Sequence, residues 1–282
     1  MKVITKLLIV LLAALGCSLT APAQILAAPG EEPMQADSVM RDFSNQPYFG
    51  LYKDNYFIFG PSIGPRPTKE NTNVKFQISI AQRLTRTTLP WGTYLYLFYS
   101  QKCFWNVLEN SMPMTDLNFN PGIGLTKPLF VKNRYIGKLT FLIEHESNGR
   151  DSTASRSWNK IALAANVMLT NNLMVHGKIF IPIVDGENNR DIIHYTGFWQ
   201  AGAQILSNDR RWMGGITVMK RNQWNLNANV IVDVAYRLFN NANQYIFMQY
   251  YNGYGEGLLE YNKFHSQLRV GILIRPKLFS DF

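Results

Sequence analysis

LNANVIVDVAY, residues 226–236, sets Leu226, Ala228, Val230, Val232, Val234 and Tyr236 on one side of an extended chain. Asn227, Asn229, Ile231, Asp233 and Ala235 fall on the other. Successive side chains of a strand point to opposite faces, so this is a strand with one apolar and one largely polar wall. The same period of two recurs along the chain. Val74, Phe76, Ile78 and Ile80 alternate with Lys75, Gln77, Ser79 and Ala81, and Phe264, Leu268, Val270, Ile272 and Ile274 alternate with His265, Gln267, Arg269 and Gly271. About twelve such segments, each of roughly ten residues, can be marked. They lie near 48–59, 73–84, 92–104, 118–130, 135–147, 157–169, 173–183, 193–206, 211–221, 226–239, 245–254 and 263–275.

Composition restricts where such strands can live. The 282 residues are 46% hydrophobic and 13% aromatic but only 17% charged. Intrinsic disorder is excluded by the apolar content. A helical membrane bundle is excluded too, because after the N-terminus no run approaches the roughly 20 apolar residues of a spanning helix. Apolar residues dispersed over alternate positions, with little charge and many aromatics, fit an all-β chain, a twelve-stranded antiparallel transmembrane β-barrel. A soluble sandwich also has short amphipathic strands. The leader, the aromatic groups Tyr94, Tyr96, Phe98, Tyr99 and Tyr245, Phe247, Tyr250, Tyr251, and the asymmetry of the connections favour the barrel. VKNR (131–134), TNN (170–172), SNDR (207–210) and NNANQ (240–244) are short polar turns. Longer stretches at 60–72, 105–117, 148–156, 184–192 and 255–262 come between them and are expected to face the cell exterior.

Residues 1–23 read as a secretory signal, with Lys2 and Lys6 before the apolar LLIVLLAALG (7–16) and cleavage possible as late as 28. Residues 24–45 are expected to be a periplasmic tail and 46–282 the barrel; Phe282 resembles the terminal aromatic of an outer-membrane assembly signal. The net charge of +9 falls to +7 once the two leader lysines are subtracted, and it is scattered. Nucleic acid is therefore not an expected partner. Cys17 leaves with the leader, so Cys103 alone remains and neither a disulfide nor a zinc site is expected.

The densest polar stretch is HESNGRDSTASRSWN, 145–159. In the strand that leads into it, Tyr135, Leu139, Phe141 and Ile143 form the apolar face, so His145 and Ser147 continue on the lipid side. In the following strand Asn159 shares its face with Ile161, Leu163, Ala165 and Val167. Three polar side chains on a lipid-facing wall are unfavourable and mark a functional site. A base, a hydroxyl and an amide are what nucleophilic acyl transfer needs: His145 takes the Ser147 proton and Asn159 holds the imidazole tautomer. Wet, inert rim residues would explain one of the three, not three of matching parity. His176, His194 and His265 have no ligand spacing and read as a solvated lumen residue, a strand opener and a lumen-side residue. Lys138, Glu144, Glu146 and Lys160 read as a polar network filling the lumen.

HESNG…SRSWN strongly resembles the outer-membrane phospholipase A family, as do NYFIFG (55–60), VKFQISIA (74–81), SQKCFW (100–105), NGYGEGLLEYN (252–262) and RVGILI (269–274). The resemblance runs from about residue 45 to the C-terminus. It implies a twelve-stranded barrel of the Gram-negative outer membrane whose active site faces the exterior. It further implies phospholipid substrates, A1- and A2-type ester cleavage with possible lysophospholipase action, a need for calcium (Ca2+), and activity as a homodimer. By position it makes Ser147 the nucleophile, His145 the base and Asn159 the orienting residue, with the Gly149 N–H in the oxyanion hole. Calcium would be held by the Arg150 carbonyl, the Ser155 hydroxyl and Ser111 of the partner subunit, and Gln101 would lie in the dimer interface. The family's second, monomer-state calcium site uses acidic residues; the matching positions here are Ser152 and Asn188, with Asp151 and Glu187 beside them, a departure from the pattern. The competing function is a porin-like channel or adhesin, which explains barrel and leader but not His145, Ser147 and Asn159 on the lipid face.

Overall fold

The structure is a computed structural model that describes residues 48–85, 87–223, 225–239 and 243–276. The expected signal peptide, the periplasmic tail and Phe282 lie outside the described residues. Among the described residues thirteen strands are laid down in order: β1 (Phe49–Leu51), β2 (Asn55–Pro61), β3 (Thr72–Arg83), β4 (Tyr94–Trp105), β5 (Met114–Val131), β6 (Arg134–Ser147), β7 (Ser157–Met168), β8 (Leu173–Ile183), β9 (Trp199–Leu206), β10 (Trp212–Lys220), β11 (Ala228–Arg237), β12 (Gln244–Gly253) and β13 (His265–Ile274). Each pairs antiparallel with its chain neighbour from β2 onward, and β13 returns to β2 with Val270 opposite Phe59 and Ile274 opposite Asn55. The wall is thus a closed twelve-stranded barrel, and closure leaves no unpaired edge to face lipid.

Two of the sequence-based segments need correction. The first, 48–59, is one wall strand broken by a bulge. Phe49 pairs with Gln82, but Tyr56 pairs with Gln77, so two residues more lie on the first strand than on β3. The bow is satisfied locally: Tyr52 N–H donates to the Ser79 carbonyl, Lys53 N–H to the Ser79 hydroxyl at 3.2 Å, and Ser79 N–H to Asn55 Oδ1 at 2.6 Å. It turns Tyr52 inward, stacked on Phe98 at 4.5 Å. The segment 193–206 is a strand only from Trp199; Ile192–Thr196 is a short helix, α1, and His194 sits on it. The local sequence DIIHYTG has no alternation and ends in Gly197, whose φ of 72° stops the turn. β10 and β11 are joined by a sixth outward connection. At the opposite end, Lys132 and Asn133 both have positive φ, 48° and 64°, the geometry of a two-residue hairpin turn.

The walls are inside out relative to a water-soluble protein. Ile78, Ile143, Ile181 and Ile272 on the outer face are about half exposed or more, while Lys75, Glu144, Glu256 and Arg269 inside are buried. That is the pattern of a barrel whose outer solvent is hydrocarbon. Inside, Lys178 meets Glu144 at 2.6 Å and Lys160 meets Glu146 at 2.7 Å. His176, expected to be solvated, is buried against the Thr217 hydroxyl at 3.1 Å. An apolar plug of Ile58, Met213, Ala235, Tyr245, Phe247 and Leu273 fills the end near the short turns.

The outward mouth is closed by the connection between β12 and β13, which folds into the lumen. Its Leu258 and Leu259 N–H groups donate to Asn118 Oδ1 and Asp116 Oδ2 at 3.0 and 2.9 Å. Leu258 and Tyr261 pack on Trp158 and Ile192. Glu256 accepts from Arg269 at 2.7 Å and Lys75 at 3.1 Å. Burial alone would raise the Glu256 carboxyl, but the Arg269 and Lys75 charges outweigh it and hold it near pKa 2. A depressed carboxylate contributes its stability above the ordinary value of 4.5 and loses it as pH falls toward 2. Glu256→Gln leaves two buried cations short of a partner, which costs roughly 3–5 kcal/mol when a buried pair is broken. The temperature of the heat-modifiable gel shift should therefore drop at neutral pH, and the gap to wild type should narrow steadily below pH 4.5.

Candidate active site

The parity that places the site is set by backbone pairing. His145 is opposite Asn159, and Ser147 is opposite both Ser157 on β7 and Phe119 on β5. Cross-strand partners share a face, and these continue the outer row of Phe141, Ile143 and Leu163, each around two-fifths to one-half exposed. His145, Ser147 and Asn159 are half-buried on that wall, near its outward end. His145 Nδ1 and Asn159 Oδ1 are 2.9 Å apart. An amide oxygen there takes the Nδ1–H tautomer and leaves Nε2 as the free base. Among the described residues no hydrogen bond joins Ser147 to His145; in enzymes without substrate such bonds are often long and tighten in the complex.

The loop that follows, 148–156, is shaped by Asn148. This residue is buried at 2% exposure, although a turn dipeptide normally lies in water. Its amide donates to the Ala154 carbonyl at 2.8 Å, its Oδ1 accepts Arg156 N–H at 2.9 Å and Arg150 N–H at 3.3 Å, and its own N–H meets the Arg156 carbonyl at 3.0 Å. Gly149 follows with φ of 63°, and a Cβ there would lie 2.8 Å from the Phe119 ring, so glycine alone fits without displacement. Its N–H has no acceptor among the described residues. Arg150 Nη2 donates to the Thr115 carbonyl at 2.6 Å, tying the loop to the start of β5.

The remaining candidate residues fall as follows. Arg150 and Ser155 sit on this one loop. Ser111 is exposed on the neighbouring loop between β4 and β5, with φ of 65°. Gln101 lies opposite Ile78 and Phe119, on the outer wall and in the same row as Ser147, with Tyr99 OH donating to its Oε1 at 2.9 Å. Ser152 and Asn188 are brought together, but as a hydrogen bond from Asn188 Nδ2 to the Ser152 carbonyl at 2.8 Å. Among the described residues no cluster of three or more His, Cys, Asp or Glu side chains could hold a metal.

One neighbour of the site escapes sequence reasoning. Asp185, two residues beyond β8, accepts Asn159 Nδ2–H at 2.9 Å through Oδ2 and the Ser157 hydroxyl at 3.3 Å through Oδ1. The only signal was parity: Ile183 is opposite Asn159 on the outer face, and Asp185 is the next residue of that face.

A family model described as Phospholipase A1 matches residues 51–274. The chain belongs to the phospholipase A1 family. Phospholipase A1 of Klebsiella pneumoniae is 27% identical over 259 residues, covering 84% of this chain and 86% of that one. Phospholipase A1 of Escherichia coli K12 is 29% identical over 211 residues, 71% of this chain and 69% of that one. Among solved structures, outer membrane phospholipase A from Escherichia coli superposes with a TM-score of 0.72 at 23% identity, covering 87% of this chain and all of that one. A Salmonella typhi outer membrane phospholipase, solved as a dimer with bound calcium, gives 0.73 at 23% identity and the same coverage. The structural likenesses show the fold; the family match makes this chain a phospholipase, and the two together make it an outer-membrane barrel of a Gram-negative bacterium.

The loop geometry is testable without any activity assay. Asn148→Ala removes the side-chain bonds that curl residues 148–156, at roughly 1 kcal/mol for each bond lost. Trypsin should then cut at Arg150 or Arg156 several-fold faster than in wild type, while the barrel itself still migrates as folded.

Proposed function

We propose that this phospholipase hydrolyses acyl esters of phospholipids in the outer leaflet, with Ser147 as nucleophile, His145 as general base and Asn159 as its orienting residue. The single observation that carries the reading is the His145–Asn159 hydrogen bond on a wall otherwise built for lipid. An ester lying against that wall is attacked by Ser147 Oγ as His145 Nε2 takes the hydroxyl proton. The oxyanion that forms is met by the Gly149 N–H, which has no acceptor among the described residues. His145 returns the proton to the leaving alcohol, and water releases the fatty acid by the same steps in reverse roles. A serine on the outer wall is reached by either ester of a lipid alongside it, so the reading includes A1- and A2-type cleavage and lysophospholipids.

The donor set suits calcium. The Arg150 carbonyl and the Ser155 hydroxyl are hard oxygens on the loop curled around Asn148, and neither is used in a hydrogen bond among the described residues. Together with Ser111 of the partner subunit and water they would hold the ion, which supplies positive charge beside the oxyanion. At the expected second site Ser152 and Asn188 bring no carboxylate and are tied to each other by the Asn188 amide and the Ser152 carbonyl. We therefore assign calcium to the first set only.

Association completes the site. One barrel offers a wall, and a wall cannot fix an ester within reach of Ser147, as attack requires. A second barrel on the same face makes a cleft from Leu139, Phe141, Ile143, Ile161 and Leu163, with Gln101 in the contact. The channel alternative is disfavoured by the plugged lumen, filled by an apolar cluster at the turn end and by the inward connection between β12 and β13 at the mouth.

Ser147→Ala and His145→Ala should each abolish lipid hydrolysis to a comparable degree, since triad members act as a unit, and both should retain folded migration. Asn159→Ala should lose less. Refolded protein should hydrolyse phospholipid with calcium and stop in excess chelator, with magnesium a poor substitute. Dilution into detergent should lower specific activity, and cross-linking of the pair should preserve it. Full activity of Ser147→Ala, full turnover in chelator, or conductance without acyl release would each contradict the corresponding part.

A further inference from the structure

We infer that Asp185 is a positioning residue for the reaction: it locks the Asn159 amide in the one orientation that makes His145 a base. The inference rests on the reading of Ser147, His145 and Asn159 given above. An asparagine amide can turn over and exchange its oxygen and nitrogen with little change of shape. Turned over, it would offer Nδ2–H to His145 Nδ1, which would then have to be bare, with the proton on Nε2. That tautomer cannot accept from Ser147. Something must therefore decide which way Asn159 faces.

The carboxylate of Asp185 decides it, because an ionised carboxylate only accepts. With Asp185 Oδ2 2.9 Å from Asn159 Nδ2, the amide must give its N–H to the acid and its oxygen to the imidazole. The acid is itself aimed: the Ser157 hydroxyl donates to its other oxygen at 3.3 Å, from the position opposite Ser147. The order Ser147, His145, Asn159, Asp185 thus forms a line of polar groups on one face of β6, β7 and the end of β8. Hydrogen bonds in a line polarise one another, so the negative charge also strengthens Asn159 Oδ1 as acceptor when the imidazole is protonated in the transition state. Asp185 does through an amide what a triad aspartate does by direct contact.

The test is a double-mutant cycle on the calcium-loaded protein in mixed micelles of phosphatidylcholine and detergent. Asp185→Asn keeps the shape but can donate as well as accept, so Asn159 is free to turn. Because the charge acts at one remove and near water, kcat should fall about tenfold, far less than the roughly 10⁴ lost when a triad aspartate becomes asparagine. KM should not move. In the Asn159→Ala background the same change should have no further effect, because the group it acts through is gone. Heat-modifiable migration confirms that each variant is folded. Three results would overturn the inference: wild-type kcat in Asp185→Asn, a loss confined to KM, or an equal fractional loss with and without Asn159. A dead Ser147→Ala alongside a fully active Asp185→Asn would sink this inference alone; an active Ser147→Ala would sink the triad reading beneath it.

Discussion

A strand in a closed barrel has only two sides, and in membrane one of them must satisfy hydrocarbon. Every residue of β6 and β7 is committed by that constraint once the pairing register is set. Glu144 and Lys160 face a filled, polar lumen, and Ile143 and Leu163 face lipid. His145, Ser147 and Asn159 fall on the lipid side because they keep step with Ile143 and Ile161, not because a pocket was built for them. Burying polar groups at such a wall is unfavourable unless they bond to one another or meet a polar ligand. The His145–Asn159–Asp185 bonds meet the first condition, and the ester and headgroup of a lipid would meet the second.

The rest of the molecule keeps that wall stiff and keeps water from entering through the lumen. Ion pairs of Lys178 with Glu144 and Lys160 with Glu146 lie directly behind the site on the inner faces of β6, β7 and β8. Glu256 draws the mouth loop inward onto Lys75 and Arg269, and the same loop seats Leu258 and Tyr261 against Trp158, one residue from Asn159. Asn148 fixes the loop that carries Gly149, Arg150 and Ser155. Serine, base and loop are thus held on rigid elements, as a site that must meet a mobile lipid requires.

Much of this was legible in residue order, because period and parity are local. The alternation of Leu226–Tyr236 and its counterparts gives the strands, and the parity of Tyr135–Ile143 places His145 and Ser147 without knowledge of any contact. What escaped was non-local or irregular. The bulge after Leu51 depends on Ser79 across the sheet, and α1 arises where alternation stops, between β8 and β9. Asn148 is a buried hub because three of its four hydrogen bonds reach across its own loop to Ala154 and Arg156. Asp185 lies 26 residues from Asn159, and only the register of β7 with β8 brings them together.

The central claim is that Ser147 is activated on the outer wall. A long-chain alkylsulfonyl fluoride tests it most directly, because it sulfonylates a serine only where a base takes the hydroxyl proton, and its alkyl chain favours a wall that accepts an acyl chain. Peptide mapping of calcium-treated protein should find one sulfonyl group, on Ser147, and none when His145 is alanine. Label on another residue, or none while the protein is hydrolysing phospholipid, would contradict the account.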